Sequence, residues 1–261
     1  MPSKNQTIKL GCVPYFNAKP LIHGIQHVNA GNIRLIYAIP SRLAGMISSG
    51  KVDAAMMPCV ELARHPEFRH LKGMCISSKG EAESVVFWHR QPMEKLKTVY
   101  LDPNSMTSNS LLRVILRKKY GLSNLKFIKK AIAPGSLPAE SCGCLMIGDR
   151  CLRENLKRHD KTITRMDLGR EWHEFTGLPF IFALWIHKKT IRNSVRKQLK
   201  DSLQAGLESI HLIAKSESSR LELPLSYCRK YLTRNIRYNL GRDEKKGLKK
   251  FLRFVSEDCM L

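Results

Sequence analysis

Short apolar runs alternate with helix-length amphipathic segments from residue 8 onward, and the alternation stops and restarts once along the chain. This is the pattern of α/β folds, in which a strand is followed by a crossover helix. Ile8 to Val13 reads as a first strand. Pro20 then opens a helix at its first turn, where its missing N–H costs nothing. Ile33 to Ala38 reads as a second strand. Ser41 is expected as the N-cap of a helix that carries Leu43, Met46 and Ile47 on one face and ends at Gly50. A buried strand, Val52 to Met57, is closed by Pro58.

The second series begins at Thr98 to Leu101. It continues through a helix with Leu111, Leu112, Ile115 and Leu116 on one face, and reaches an apolar strand, Cys144 to Ile147, ahead of Gly148-Asp149. Two lobes follow from the restart. Two further strand-like runs, Ser84 to His89 and Leu178 to His187, are expected to pair and to carry the chain between lobes. Lobe one is then residues 1–90 with 189–261, and lobe two is 91–188. The tail reads as amphipathic helix, with Val195, Leu199, Leu203, Leu207 and Ile210, then Leu248, Phe251, Leu252 and Val255, recurring at helical spacing around a break at Leu221 to Leu225.

With 261 residues, 43% of them hydrophobic, the chain can bury one sizeable core or two smaller ones separated by a cleft. No apolar run of the 7 to 15 or so residues that a signal peptide needs follows the first lysine, and no stretch reaches the roughly 18 apolar residues of a membrane span. The eight cysteines are irregularly spaced without a Cys-x-x-Cys pair, which suits a reducing cytoplasm. The close pair Cys142 and Cys144 lacks a second cluster at zinc-ligand spacing. His23 and His27, four apart, lack the following Glu and a third ligand. No metal is expected. The formal net charge of +23 draws in anions of any kind. It rides on the polar sides of amphipathic helices without a nucleic-acid-binding motif, so no nucleic-acid partner is expected. Nothing in the sequence sets the oligomeric state.

Four segments place Asn, Ser, Thr or Gly where a strand gives way to a helix: Tyr15 to Pro20, Pro40 to Arg42, Asp102 to Ser108, and Ile147 to Asp149. Ligands of open α/β sheets sit beyond the carboxyl ends of strands, where helix N-termini offer N–H groups to an anion. The same residue types also serve as ordinary helix caps. Trp172, Phe180, Phe182 and Trp185 can line a cleft or fill a core.

In order along residues 10 to 188, Val13-Pro-Tyr-Phe-Asn-Ala-Lys-Pro-Leu21, Pro40-Ser-Arg-Leu-Ala44, Gly50-Lys-Val-Asp-Ala-Ala-Met-Met-Pro58, Asp102-x-x-Ser-x-Thr-Ser108, Ile147-Gly-Asp149 and the block from Asp167-Leu-Gly through Thr176-Gly-Leu-Pro-Phe180 to Trp185 resemble the chorismate dehydratases, the MqnA family of the futalosine route to menaquinone. The resemblance implies a two-lobed fold of the periplasmic-binding-protein type (type II) with a ligand cleft between lobes. It also implies a cofactor-free hydro-lyase that removes water from chorismate to give 3-[(1-carboxyvinyl)oxy]benzoate. On the residues that match, it implies Asn17 and Ser84 as catalytic groups. Ser41, Arg42, Ser105, Thr107, Ser108, Gly148 and Asp149 would contact the substrate. Helix capping for Asn17, strand hydrogen bonding for Ser84 and simple exposure for Arg42 are the structural alternatives. Asp149 and Glu61 are the acidic residues within reach of these motifs, and the substrate's own enolpyruvyl carboxylate is the expected proton acceptor.

The chain departs from the family's usual pattern in its charge, in Phe16, and in Glu81-Ala-Glu83 ahead of Ser84, where a Gly-Pro-like turn is more typical. Two rival readings remain. One is the 1,4-dihydroxy-6-naphthoate synthase of the same pathway, which shares the fold, and the other is a non-enzymatic receptor for a small anionic metabolite.

Overall fold

A computed structural model describes residues 7–27, 33–90, 92–138, 140–157 and 161–257. The first series runs β1 (Ile8–Cys12), α1 (Lys19–His27), β2 (Ile33–Tyr37), α2 (Pro40–Ser48), β3 (Ala54–Pro58), the one-turn α3 (Glu61–Arg64) and β4 (Arg69–Ser78). The second runs β5 (Val85–His89), β6 (Thr98–Leu101), α4 (Thr107–Val114), β7 (Lys126–Lys129), β8 (Cys142–Ile147), α5 (Gly148–Asn155), β9 (Thr164–Asp167), α6 (Leu168–Thr176) and β10 (Phe180–His187). Then come α7 (Asn193–Glu208), α8 (Ile210–Leu221), α9 (Leu225–Lys230) and α10 (Arg242–Glu257). Among the described residues no helix is long and apolar enough to cross a membrane.

The chain divides into two compact units, one formed by residues up to Ile76 with Ala183–Gly241, the other by Ser77–Phe182 with residues from Arg242 on. In the first unit the strand order is β2-β1-β3-β10-β4, with β1, β2 and β3 parallel and β10 antiparallel to β3. Helix α1 packs on α7 through Gly24, where a Cβ would lie 2.6 Å from Cα of Ser202. The Ser202 hydroxyl, 3% exposed, accepts from Ile25 N–H and donates to the Leu21 carbonyl, both at 3.1 Å, so the seam leaves that polar group satisfied. In the second unit the order is β7-β6-β8-β5-β9, with β6, β7 and β8 parallel and β5 antiparallel to both its neighbours.

Four sequence expectations change here. Ser84 to His89 and Leu178 to His187 do not pair with each other: β5 lies between β8 and β9, and β10 between β3 and β4. The sequence pattern misses three strands, β4, β7 and β9; β4 is the one that flanks β10, and its Arg69, His70, Lys72 and Gly73 interrupt the apolar pattern, Gly73 with φ +87°. The units therefore divide near residues 76 and 182, ahead of the expected 90 and 188. The last helix joins the second unit: Phe251 on α10 sits edge-on to Phe180 at 5.0 Å and to Trp172 at 6.1 Å between ring centroids. Finally, α2 starts at Pro40 with Ile39 at the cap position, so Ser41 lies inside the helix; a proline at the first position has no N–H to satisfy.

Phe251 is 1% exposed. Phe251→Ala should destabilise the second unit by about 3–5 kcal/mol, seen as an earlier loss of the near-ultraviolet dichroism of Trp172 in urea. A midpoint unchanged from wild type would contradict the placement of α10.

Candidate functional site

In the first unit, the parallel register of β1 with β2 (Cys12 opposite Tyr37) and with β3 (Leu10 opposite Ala54) brings the carboxyl ends of all three strands to one edge. The loops that leave this edge carry Asn17, Ser41, Arg42 and Glu61. Asn17 sits in a single 3-10 turn, Phe16–Ala18, closed by the Ala18 N–H on the Tyr15 carbonyl at 3.0 Å. Phe16 beside it is fully buried against Tyr231, ring centroids 5.3 Å apart, which pins the turn and leaves Asn17 half-buried. The Asn17 side chain is thus not the cap of α1. Arg42 is exposed on the first turn of α2, and the side chain of Ser41 lies outside the described residues, as does that of His27.

Glu61, at the start of α3 just beyond β3, is 1% exposed, and its Oε1 lacks a hydrogen bond. His65 Nε2 lies 3.4 Å from Oε2 and Arg64 Nη1 3.7 Å from Oε1. Burial raises its pKa despite these two neighbours.

In the second unit, β6 runs parallel to β8, while β5 pairs antiparallel with β8 (Val85 opposite Ile147) and with β9 (Val86 opposite Asp167). One edge therefore collects the ends of β6, β8 and β9 and the start of β5. Ser84, Asp102 to Ser108, Gly148-Asp149 and Asp167 all lie there. The Ser84 carbonyl accepts from Gly148 N–H at 2.8 Å, and Gly148 has φ +68°, a conformation glycine adopts without strain. Ser84 is 2% exposed, with its hydroxyl 3.4 Å from the Ala82 carbonyl.

The loop after β6 is built around Asp102 and Asn109. Asp102 accepts from Asn104 N–H at 2.9 Å and from the Ile147 N–H of β8, tying the two loops together; burial nonetheless raises its pKa. The Asn109 amide donates to the carbonyls of Asp102, at 2.9 Å, and of Ser105, while its buried Oδ1 lacks a partner. Ser105 Oγ accepts from Ser108 N–H at 3.2 Å, so its own proton remains available to a ligand. Thr107 and Ser108 are 3% and 5% exposed on the first turn of α4. Asp149 is half-buried on the first turn of α5.

Other candidates are structural. Trp172, Trp185 and Phe180 are buried, and the Trp172 indole donates to the Pro179 carbonyl at 3.2 Å. Cys142, Cys144 and Cys151 pack together in the second core. Burial pushes the Cys144 thiol up to about 12 and that of Cys151 well above its ordinary value, which leaves neither as a thiolate. Among the described residues no three His, Cys, Asp or Glu side chains come together to hold a metal ion.

Two residues at the second edge escaped sequence reasoning. Asp167 was visible only as the first residue of a family block, although Asp ahead of a periodic segment is an N-cap signal. Glu83 stood out only as a departure from the family.

Comparison with known proteins adds the following. A family model described as menaquinone biosynthesis matches residues 8–257. A chorismate dehydratase of Thermus thermophilus is 26% identical over 258 residues, covering 93% of each chain. A chorismate dehydratase of Campylobacter jejuni is 26% identical over 242 residues, covering 92% of this chain and 89% of its own. Among solved structures, the periplasmic aliphatic sulphonate binding protein SsuA of Escherichia coli superposes with a TM-score of 0.68 over 98% of this chain and 88% of its own, at 9% identity, a likeness of fold alone. The two-lobed α/β class of periplasmic binding proteins expected from the sequence is the class observed.

Glu61 gives the first edge a pH signature. Its pKa is raised from 4.5 in the folded state, so the stability associated with the neutral carboxyl is complete below pH 4.5 and is lost as pH rises through the folded value. Glu61→Gln, which cannot ionise, should have a higher urea midpoint than wild type at pH 7, with the gap closing toward acid. A gap that widens toward acid would contradict the assignment.

Proposed function

This chain belongs to the menaquinone biosynthesis family, and from that membership we propose that it is a chorismate dehydratase, a carbon–oxygen lyase that removes water from chorismate to leave 3-[(1-carboxyvinyl)oxy]benzoate. The observation that carries the reading is the match of nearly the whole chain to two chorismate dehydratases. The polar loop ends at one edge of each sheet support it, because they supply hydrogen-bond donors suited to a small dianion.

The chemistry asks little beyond placement. The ring carbon that bears the enolpyruvyl ether loses its proton, and the resulting charge delocalises through the adjacent double bond into the ring carboxylate. The neighbouring carbon releases its hydroxyl, and the new double bond completes an aromatic ring. One proton and one hydroxide leave as water, so the step is redox-neutral and calls for no electron carrier. N–H and O–H donors on the ring carboxylate stabilise the carbanion-like state.

Asn17 and Ser84 are the groups assigned to the reacting atoms. Asn17 can donate to the departing hydroxyl, and Ser84 can donate to or accept from a reacting group of the substrate. Ser41, Arg42, Ser105, Thr107, Ser108, Gly148 and Asp149 bind carboxylates and hydroxyls, with Arg42 able to take a carboxylate bidentately. The substrate's own enolpyruvyl carboxylate accepts the proton, held close by these contacts. The setting is cytoplasmic, in keeping with the described cysteines, all of them free thiols.

Purified protein incubated with chorismate, without added metal or cofactor, should form the aromatic enolpyruvyl ether, followed by absorbance and mass. Binding without turnover would make the chain a receptor, and absence of binding would reduce the likeness to fold. Asn17→Ala and Ser84→Ala should each lower kcat by about 100-fold or more, the scale of a lost transition-state donor. Glu61→Gln should retain turnover, and Asp149→Asn should change KM more than kcat. Loss of kcat in Asp149→Asn with the fold intact would replace the substrate carboxylate by Asp149 as the proton acceptor.

A further inference from the structure

We propose that Asp167 is a positioning residue for Ser84: its buried carboxylate holds the backbone of Ala82 and Glu83 in a strained turn that delivers Ser84 to the edge of the second sheet. The inference rests on the dehydratase reading for the role of Ser84, and its geometry stands by itself.

Glu83 has φ +62°, a left-handed conformation that strains a residue with a Cβ and persists only where the surroundings over-determine it. They do so here. The N–H groups of Ala82 and Glu83 donate to Asp167 Oδ1 and Oδ2 at 3.0 and 2.7 Å. The Ser84 N–H donates to the Ala82 carbonyl at 2.7 Å, and the Ser84 carbonyl accepts from Gly148. The Asn155 amide donates to the Glu83 carbonyl at 2.6 Å and to its carboxylate at 3.0 Å. Arg165 Nη2 lies 2.8 Å from that carboxylate. Every backbone donor and acceptor from the Ala82 N–H to the Ser84 carbonyl is therefore engaged.

The two oxygens of Asp167 divide the work. Oδ1 also caps α6, accepting from Gly169 and Arg170 N–H at 2.9 and 3.1 Å. Oδ2 takes the Glu83 N–H, with Arg165 at 3.7 Å. Capping alone needs only Oδ1. Gly169 admits the approach of the preceding loop, since a Cβ there would stand 2.5 Å from Ser78 Oγ and 2.6 Å from the Gly80 carbonyl. A side chain 2% exposed thus spans two segments 84 and 85 residues apart and fixes the residue before Ser84.

Asp167→Asn separates the two roles. With the amide oxygen at Oδ1 the cap and the Ala82 contact survive, while the amide NH2 meets the Glu83 N–H donor to donor. We expect kcat for chorismate to fall about 10- to 100-fold with KM within about 3-fold. Hydrogen exchange should quicken at residues 82–84 and stay slow in α6. In a double-mutant cycle, Ser84→Ala with Asp167→Asn should turn over no more slowly than Ser84→Ala alone, because a residue that acts through Ser84 has nothing further to lose. Asp167→Ser, whose hydroxyl still caps α6 but is too short to hold residues 82 and 83, should behave likewise.

Wild-type kcat in Asp167→Asn, additive losses in the double mutant, or exchange that quickens equally in α6 would overturn the positioning role and leave the dehydratase reading standing. Full turnover in Ser84→Ala would remove Ser84 from catalysis and the proposal with it. A wild-type protein that does not convert chorismate would overturn the reading itself.

Discussion

Parallel strand pairing is the constraint on which the rest of the molecule depends. Parallel neighbours cannot be joined by a hairpin, so each strand must end in a loop that leads into a crossover segment. With β1, β2 and β3 parallel in one sheet and β6, β7 and β8 in the other, strand ends accumulate at one edge of each sheet. Turns, helix starts and unpaired N–H groups accumulate with them. The central strands β3, β5, β8 and β10 are largely buried and leave little room for chemistry, so the polar residues able to meet a substrate are those the topology sends to these edges.

Two buried carboxylates tie the second edge together. Asp102 joins the β6 loop to the end of β8, and Asp167 joins the end of β9 to the turn before β5. An unmade bond at such a depth would cost about 1–3 kcal/mol, which is why these loops are held by short carboxylate bridges. Glu61 is the contrast: a carboxyl as deeply buried, flanked by Arg64 and His65 at longer range, with one oxygen lacking a hydrogen bond.

This inward use of carboxylates also shapes the field outside. Of 22 acidic residues against 45 Lys and Arg, Glu61, Glu83, Asp102, Glu154, Asp167, Glu217 and Glu244 are buried, whereas no described Lys or Arg is. The charged residues left at the surface are therefore even more predominantly basic than in the chain as a whole. For an enzyme of a small dianion, such a field raises the local substrate concentration before any specific contact forms.

The sequence by itself determined the α/β class, the two-lobed organisation and the strand-to-helix loops that carry Asn17 and the Ser105–Ser108 turn, because strand and helix periodicity and cap chemistry are local properties of the chain. Only the tertiary structure decided that β4 rather than β5 accompanies β10, since Arg69, His70 and Lys72 hide that strand from any periodicity argument. It likewise placed α10 in the second unit: an amphipathic helix advertises an apolar face but not which core will receive it, and Phe251 found Trp172 and Phe180. Its finest decision was at Asp167 and Glu83, where a left-handed turn is kept by hydrogen bonds between residues 84 and 85 positions apart, a distance over which no local pattern can name its partner.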